Sequence, residues 1–178
     1  RSLITSVARF WPSATDANNH GVARTVALYA QDQLRLLPQW QAILGLRVEK
    51  FAVDFRNNRT SATVDSADTL VSPRLGLLYK PADELSFYAS HTMSYVPRAG
   101  EQLASLSLTN RSFEPEEFKN YELGVKWDAR PDLAFTAAIY RLDRSNVVIT
   151  DPADPTKSLL VDGQRATGVE LGATGRIT

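Results

Sequence analysis

Strict two-residue alternation recurs along nearly the whole chain, and it limits the architecture more than any other feature. Val26, Leu28, Ala30, Leu34 and Leu36 share one parity, and Thr25, Gln31, Gln33 and Arg35 hold the other. The same pattern places Trp40, Ala42, Leu44, Leu46 and Val48 opposite Gln41, Gly45, Arg47 and Glu49. It continues through Leu75–Tyr79, Leu85–Tyr95, Tyr121–Trp127, Leu133–Ile139 and Val169–Ile177. A period of two puts one set of side chains on each face of a β-strand, and helical spacing fits these segments worse. Asp32 interrupts its apolar parity, which calls for a bulge or a local partner.

The connections form a second pattern. Pro38-Gln39, Pro81-Ala82-Asp83-Glu84 and Ala129-Arg130-Pro131-Asp132 read as tight turns. Between them lie long polar stretches at Ala52–Val71, Pro97–Glu116 and Asn146–Gly163. A fourth, Arg9–Ala23, follows a possible strand end at Leu3–Ala8. Short and long connections therefore alternate, which segregates them to opposite ends of an antiparallel up-and-down meander. Outer-membrane barrels segregate loops this way, with short periplasmic turns and long extracellular loops.

Aromatic placement agrees. Trp40, Tyr79, Phe87, Trp127 and Phe135 lie on the apolar parity close to the short turns, and Tyr95 and Tyr121 lie on it near the long loops. Two such bands are what the two interfaces of a bilayer select, although aromatics are also common in any sheet. No apolar run approaches the roughly 18 residues of a transmembrane helix, but a transmembrane strand needs only about 10 and is half polar. Glycines 45, 76, 124, 168 and 172 fall on the polar parity. They read first as relief for a curved sheet and second as room for a close backbone.

Charge and composition remove other classes. Lys plus Arg number 20 and Asp plus Glu number 20, so no basic excess argues for nucleic acid. Cysteine is absent, which excludes disulfide frameworks and thiol nucleophiles. His20 and His91 are far apart and no residue set specifies a triad, so no enzyme is expected. Asp151-Pro152-Ala153-Asp154-Pro155 reads as a stiff acidic loop rather than a calcium site, and no phosphate-binding glycine motif occurs.

Several stretches, in order, resemble the C-terminal barrel of TonB-dependent siderophore receptors. They are VALYAQDQLRLLPQWQAILGLRVEKF (Val26–Phe51), SPRLGLLYKPADELSFYASHTMSYVPRAGEQL (Ser72–Leu103), FEPEEFKNYELGVKWD (Phe113–Asp128), LAFTAAIYRLDRSNV (Leu133–Val147) and GQRATGVELGATGRI (Gly163–Ile177). The resemblance implies an all-β antiparallel sheet, residues 1–178 forming part of a large barrel of about 22 strands with a plugged lumen. About seven or eight strands are expected here, too few to close such a barrel, with the plug domain and TonB box missing. It also implies an outer-membrane location in a Gram-negative bacterium, with TonB and outer-membrane lipid as partners. The implied cargo is a ferric siderophore, with no resident cofactor.

Ligand contacts would come from the mouth, where arginines and aromatics suit a polar, often anionic chelate. By position these are Trp11, Arg98, Gln102, Arg111 and Phe113. Two alternatives stay open: a small self-contained outer-membrane barrel of structural or adhesive role, and a soluble β-barrel or sandwich binding module. The soluble reading requires Leu123 and Val125 to pack against protein.

Overall fold

A computed structural model describes residues 18–97, 113–155, 157–161 and 163–176. Nine strands are present among them: β1 (Asn19–Leu37), β2 (Trp40–Asn57), β3 (Thr63–Ala82), β4 (Leu85–Val96), β5 (Glu116–Arg130), β6 (Leu133–Ser145), β7 (Val147–Thr150), β8 (Ser158–Val161) and β9 (Gln164–Gly175). Seven pair in the order β1-β2-β3-β4-β5-β6-β9, every neighbour antiparallel, and β7-β8 form a separate hairpin. This is the expected meander. Among the described residues β1 and β9 do not pair, so the sheet does not close on itself as a small barrel would.

The short turns occupy two residues each: Pro38-Gln39, Asp83-Glu84 and Pro131-Asp132. Pro81 and Ala82 thus end β3, and Ala129 and Arg130 end β5, where the sequence had suggested turn residues. Each turn follows a register shift, at Arg35/Leu37, Tyr79/Ala82 and Asp128/Arg130. An extra residue there adds local twist and lets the chain reverse.

Alternation sorts the residues as expected. Register aligns Leu28, Val48 and Val71 on one face, and likewise Leu44 with Leu75, and Leu123 with Ile139 and Val169. That face is exposed: Leu28 at 80%, Leu123 and Ile139 at 54%, Leu171 at 81%. The soluble reading needed Leu123 and Val125 packed against protein; Leu123 is exposed and Val125 only half-buried. A contiguous apolar surface of this extent has to meet another apolar phase.

The long polar stretch expected at Ala52–Val71 is instead mostly ladder. β2 and β3 continue past the apolar belt to a five-residue turn, residues 58–62, with pairing from Trp40↔Tyr79 to Arg56↔Thr63. Asn57 caps this turn, its Oδ1 accepting from the amides of Arg59 (2.9 Å) and Thr60 (3.2 Å). The apolar residues change face on the way up. Below Val48 they lie on the exposed face. Above it, Phe51, Val53, Phe55, Val64 and Leu70 point to the opposite face and are buried, Val53 to 1%. The exposed face there becomes charged, with Arg24 paired to Asp54 at 2.6 Å. This inversion hid the strands from a parity reading. Strands of 18 to 20 residues are also about twice the length a bilayer needs.

Asn146–Gly163, likewise expected as a connection, holds the β7-β8 hairpin, whose Val147 is buried. Of Arg9–Ala23, the residues from Asn19 belong to β1. The possible strand end at Leu3–Ala8 and most of Pro97–Glu116 lie outside the described residues. Asp32 stands opposite Leu44 in unbroken register, so it needs no bulge. Its Oδ1 accepts from the Gln33 amide at 2.8 Å.

Candidate functional site

The polar face carries most of the specific side-chain chemistry, in two tiers. In the lower tier Tyr88 on β4 donates to Glu122 on β5 at 2.5 Å, and Lys126 lies 5.7 Å from the Tyr88 ring centre. Tyr88 faces Gly124 and Tyr140 faces Gly168 across their strand pairs. A Cβ at either glycine would come within 2.6 Å of the tyrosine ring. These two glycines therefore make room for a neighbouring side chain, a role the sequence reading did not assign. The ring covers backbone that glycine leaves bare.

The upper tier gathers where β5, β6 and β9 leave the apolar belt. Arg144 Nε and one terminal nitrogen both donate to Glu116 Oε2, at 3.0 and 2.7 Å. Its guanidinium carbon also sits 5.7 Å from the Phe118 ring centre, and Gln164 Oε1 accepts from it at 3.5 Å. Asn146, at φ 58°, donates through Nδ2 to the Pro115 carbonyl at 3.0 Å and to Glu114 at 3.4 Å. These bonds tie the ends of β5 and β6 to the segment that precedes β5. An oriented arginine with an aromatic ring beside it suits a flat, anionic chelate.

Of the residues chosen from sequence, only Phe113 falls among those described. It is half-buried, one residue before Glu114, at the edge of this tier. Trp11, Arg98, Gln102 and Arg111 lie outside the described residues. Arg144 was missed. Ending the sixth strand at Ile139 hid it, yet continued alternation through Leu142 and Arg144 was the available signal.

On the opposite face, above the apolar rows, Asp143 accepts from Arg141 Nε at 2.9 Å and Arg165 Nε at 2.6 Å. The hydrogen bond from Arg141, then that from Arg165, hold the Asp143 carboxyl below its ordinary range. Lys119 pairs with Glu117 at 2.5 Å in the same zone, and that contact raises the lysine. Below it, aromatics stack near the turns: Trp40 on Tyr79 (4.6 Å), Tyr79 near Phe87 (6.4 Å) and Trp127 near Phe135 (5.8 Å). A fourth ring contact, His91 on Tyr121 at 4.5 Å, lies at the upper edge. The family described as TonB dependent receptor-like, beta-barrel matches residues 2–178.

The chain belongs to that family. It is 30% identical over 174 residues to the metal-pseudopaline receptor CntO of Pseudomonas aeruginosa, covering 94% of this chain and 24% of that protein. It is also 30% identical to the probable TonB-dependent siderophore receptor PiuA of Acinetobacter baumannii, over 86% of this chain and 22% of the relative. The crystal structure of PiuA superposes with a TM-score of 0.81 at 29% identity, over 90% of this chain and 24% of that one. The closed form of the ferric-catecholate receptor Fiu of Escherichia coli gives 0.79 at 22% identity, over 91% and 27%, a likeness of fold alone. The chain thus spans about a quarter of the length of the curated relatives it matches. TonB-dependent receptors are transport receptors of the Gram-negative outer membrane that bind siderophores and engage TonB. The nine strands are accordingly a partial segment of a larger receptor barrel.

Proposed function

We propose that this chain is part of the wall of an outer-membrane receptor that binds a ferric siderophore at the cell surface and imports it into the periplasm. TonB drives the step in the whole receptor, of which the matched segment is part of the barrel. The exposed apolar face meets lipid, and the polar face looks into the plugged lumen. One observation carries the reading: a continuous apolar belt, edged by paired aromatics, backs onto a face lined with Tyr88 and Glu122, with Arg144 above them on the same polar face. A two-sided sheet of this kind fits a wall between hydrocarbon and an aqueous interior.

Arg144 and Phe118 stand at the mouth end of the lumen face and serve as ligand contacts, with Phe113 beside them. From their positions in the sequence alone, we propose Trp11, Arg98, Gln102 and Arg111 as further ligand contacts. A chelate of the kind named for CntO is a second cargo to be tried, because that relative is 30% identical across nearly the whole chain. The test is deletion of the gene in its own host, followed by growth under iron limitation on defined hydroxamate, catecholate and citrate-type chelates and on metal-pseudopaline. Loss of growth on one class, restored by the full-length gene and not by an R144A copy, supports the reading. Recovery of the full-length protein in the soluble fraction, or unchanged uptake of every chelate, overturns it.

A further inference from the structure

On β1 to β4 the polar face carries a second group of hydrogen-bond donors, away from Arg144. Register sets Gln31, Gly45, Arg74 and Thr92 in one row across these four strands. Tyr29, Arg47 and Ser72 form the row above it, towards the long connections. Arg47 and Arg74 are therefore diagonal neighbours on adjacent strands, a step of roughly 7 Å at Cβ. Gly45 lies beside both and has no side chain of its own. Its bare backbone floors a shallow depression of about 400 Å³, and Tyr29, Gln31, Arg47, Ser72, Arg74 and Thr92 contribute to the walls. A Cβ at Gly45 would stand 3.3 Å from Arg74 Cβ and 3.6 Å from Gln31 Cγ, so any larger residue fills this floor.

The walls are rich in donors. Two guanidiniums, a phenol, a carboxamide and two hydroxyls surround the floor. The carboxylate one step above, Glu49, is committed to Arg47, whose Nε and one terminal nitrogen both donate to Glu49 Oε2 at 2.8 and 2.6 Å. That pairing orients the Arg47 plane. Among the described residues neither Arg74 nor the other terminal nitrogen of Arg47 has a hydrogen-bond partner. Two cations held one diagonal step apart repel, and an oxyanion between them turns that repulsion into attraction. Arginine forks match the two oxygens of a carboxylate.

The lower row continues around the wall through Asn120 and Leu142. Arg47 on β2 and Arg144 on β6 both stand two residues above it, four strand spacings or roughly 19 Å apart along the wall. We infer that Arg47 and Arg74 form a second oxyanion-binding station of the ligand site, at the level of Arg144, and that the two stations together select a metal chelate with free carboxylate arms. The inference rests on the lumen-facing assignment proposed above and names the ligand class of that same site.

The full-length receptor, purified in detergent, is titrated with ferric citrate, a carboxylate chelate, and with ferrichrome, a neutral hydroxamate one. The parent should bind ferric citrate the more tightly of the two. R47A and R74A should each weaken ferric citrate by about tenfold and move ferrichrome by less than about twofold. R74K should recover part of the loss, because it keeps the charge without the fork. Gly45→Val keeps both arginines and fills the floor, so it too should lower the affinity for ferric citrate. Fast gel migration before heating checks that each variant is folded. Unchanged ferric citrate affinity in R47A and R74A overturns the station, as does a parent that binds ferric citrate no more tightly than ferrichrome. A lower heat-modification temperature in R74A with affinity unchanged would also overturn it, assigning Arg74 to packing inside the lumen. The receptor reading fails differently: the folded parent would bind no chelate of any class.

Discussion

Tyr88 lies over Gly124 so closely that a Cβ at that glycine would sit 2.5 Å from three atoms of the ring edge, Cε1, Cζ and Oη. The Tyr88 hydroxyl donates to Glu122, which lies two residues from Gly124 on β5. Gly124→Ala therefore forces the ring to swing and breaks that bond. A loss of about 1–3 kcal/mol is expected, of the size seen for overpacking with a displaced hydrogen bond. Urea unfolding of the full-length receptor in lipid measures it. In a Tyr88→Ala background the same substitution should cost less, because the obstructing ring is gone. Additive effects would show that the ring and the glycine are not coupled.

Arg144 tests the mouth. Its contacts to Glu116 and Phe118 are half-exposed, so Arg144→Ala should change stability by no more than about 1 kcal/mol. Binding of the cognate chelate should weaken by about tenfold or more, the loss typical of a truncated arginine anchor. Arg144→Lys keeps the charge and gives up the two-pronged geometry, so it should recover only part of that affinity. Equilibrium binding with intrinsic fluorescence separates the two effects. Equal affinity in all three proteins would remove Arg144 from the site.

Leu123 tests the belt. It is exposed on the apolar face between Ala89 and Ile139. Leu123→Arg should destabilise the barrel in lipid by about 1–3 kcal/mol, the cost of a cation on a lipid face between the midplane and the interface. Two residues beyond Ile139, its partner on β6, Arg141 already occupies that face, paired with Asp143. Arg141→Leu should accordingly move the folding free energy by only about 1 kcal/mol or less, since the headgroup zone tolerates either. Matching effects at both depths would count against a bilayer around this face.

Asp143 gives a pH signature. Its folded carboxyl is held below the ordinary 3.8, chiefly by Arg141 and then by Arg165. A carboxyl lowered on folding stabilises the folded state above its unfolded value. That contribution is lost as pH falls through the folded value. The transition temperature of the parent should therefore exceed that of Asp143→Asn by a constant margin at neutral pH. The margin should shrink once the pH drops below about 4, where the unfolded carboxyl binds its proton. A margin that grows on acidification would reverse the sign and refute the clasp.

The alternation that fixed strand identity and facing is local, because neighbouring side chains on a strand must point opposite ways. So β4, β5 and the belt portions of β1, β2, β3, β6 and β9 were legible from residues alone, as were the aromatic edges; that the sheet is part of a larger barrel came only with the family resemblance. Three things were not. The apolar residues of β2 and β3 change face between Val48 and Phe51, because the lower part adjoins the outside phase and the upper part packs inward. Which neighbour a glycine accommodates depends on register across strands, so the tyrosines over Gly124 and Gly168 appeared only with the pairing. Arg144 joined Glu116 only when β5 and β6 brought residues 28 apart in sequence side by side. Side-chain periodicity is a property of one strand, whereas contact is a property of two, and the sequence writes down only the first.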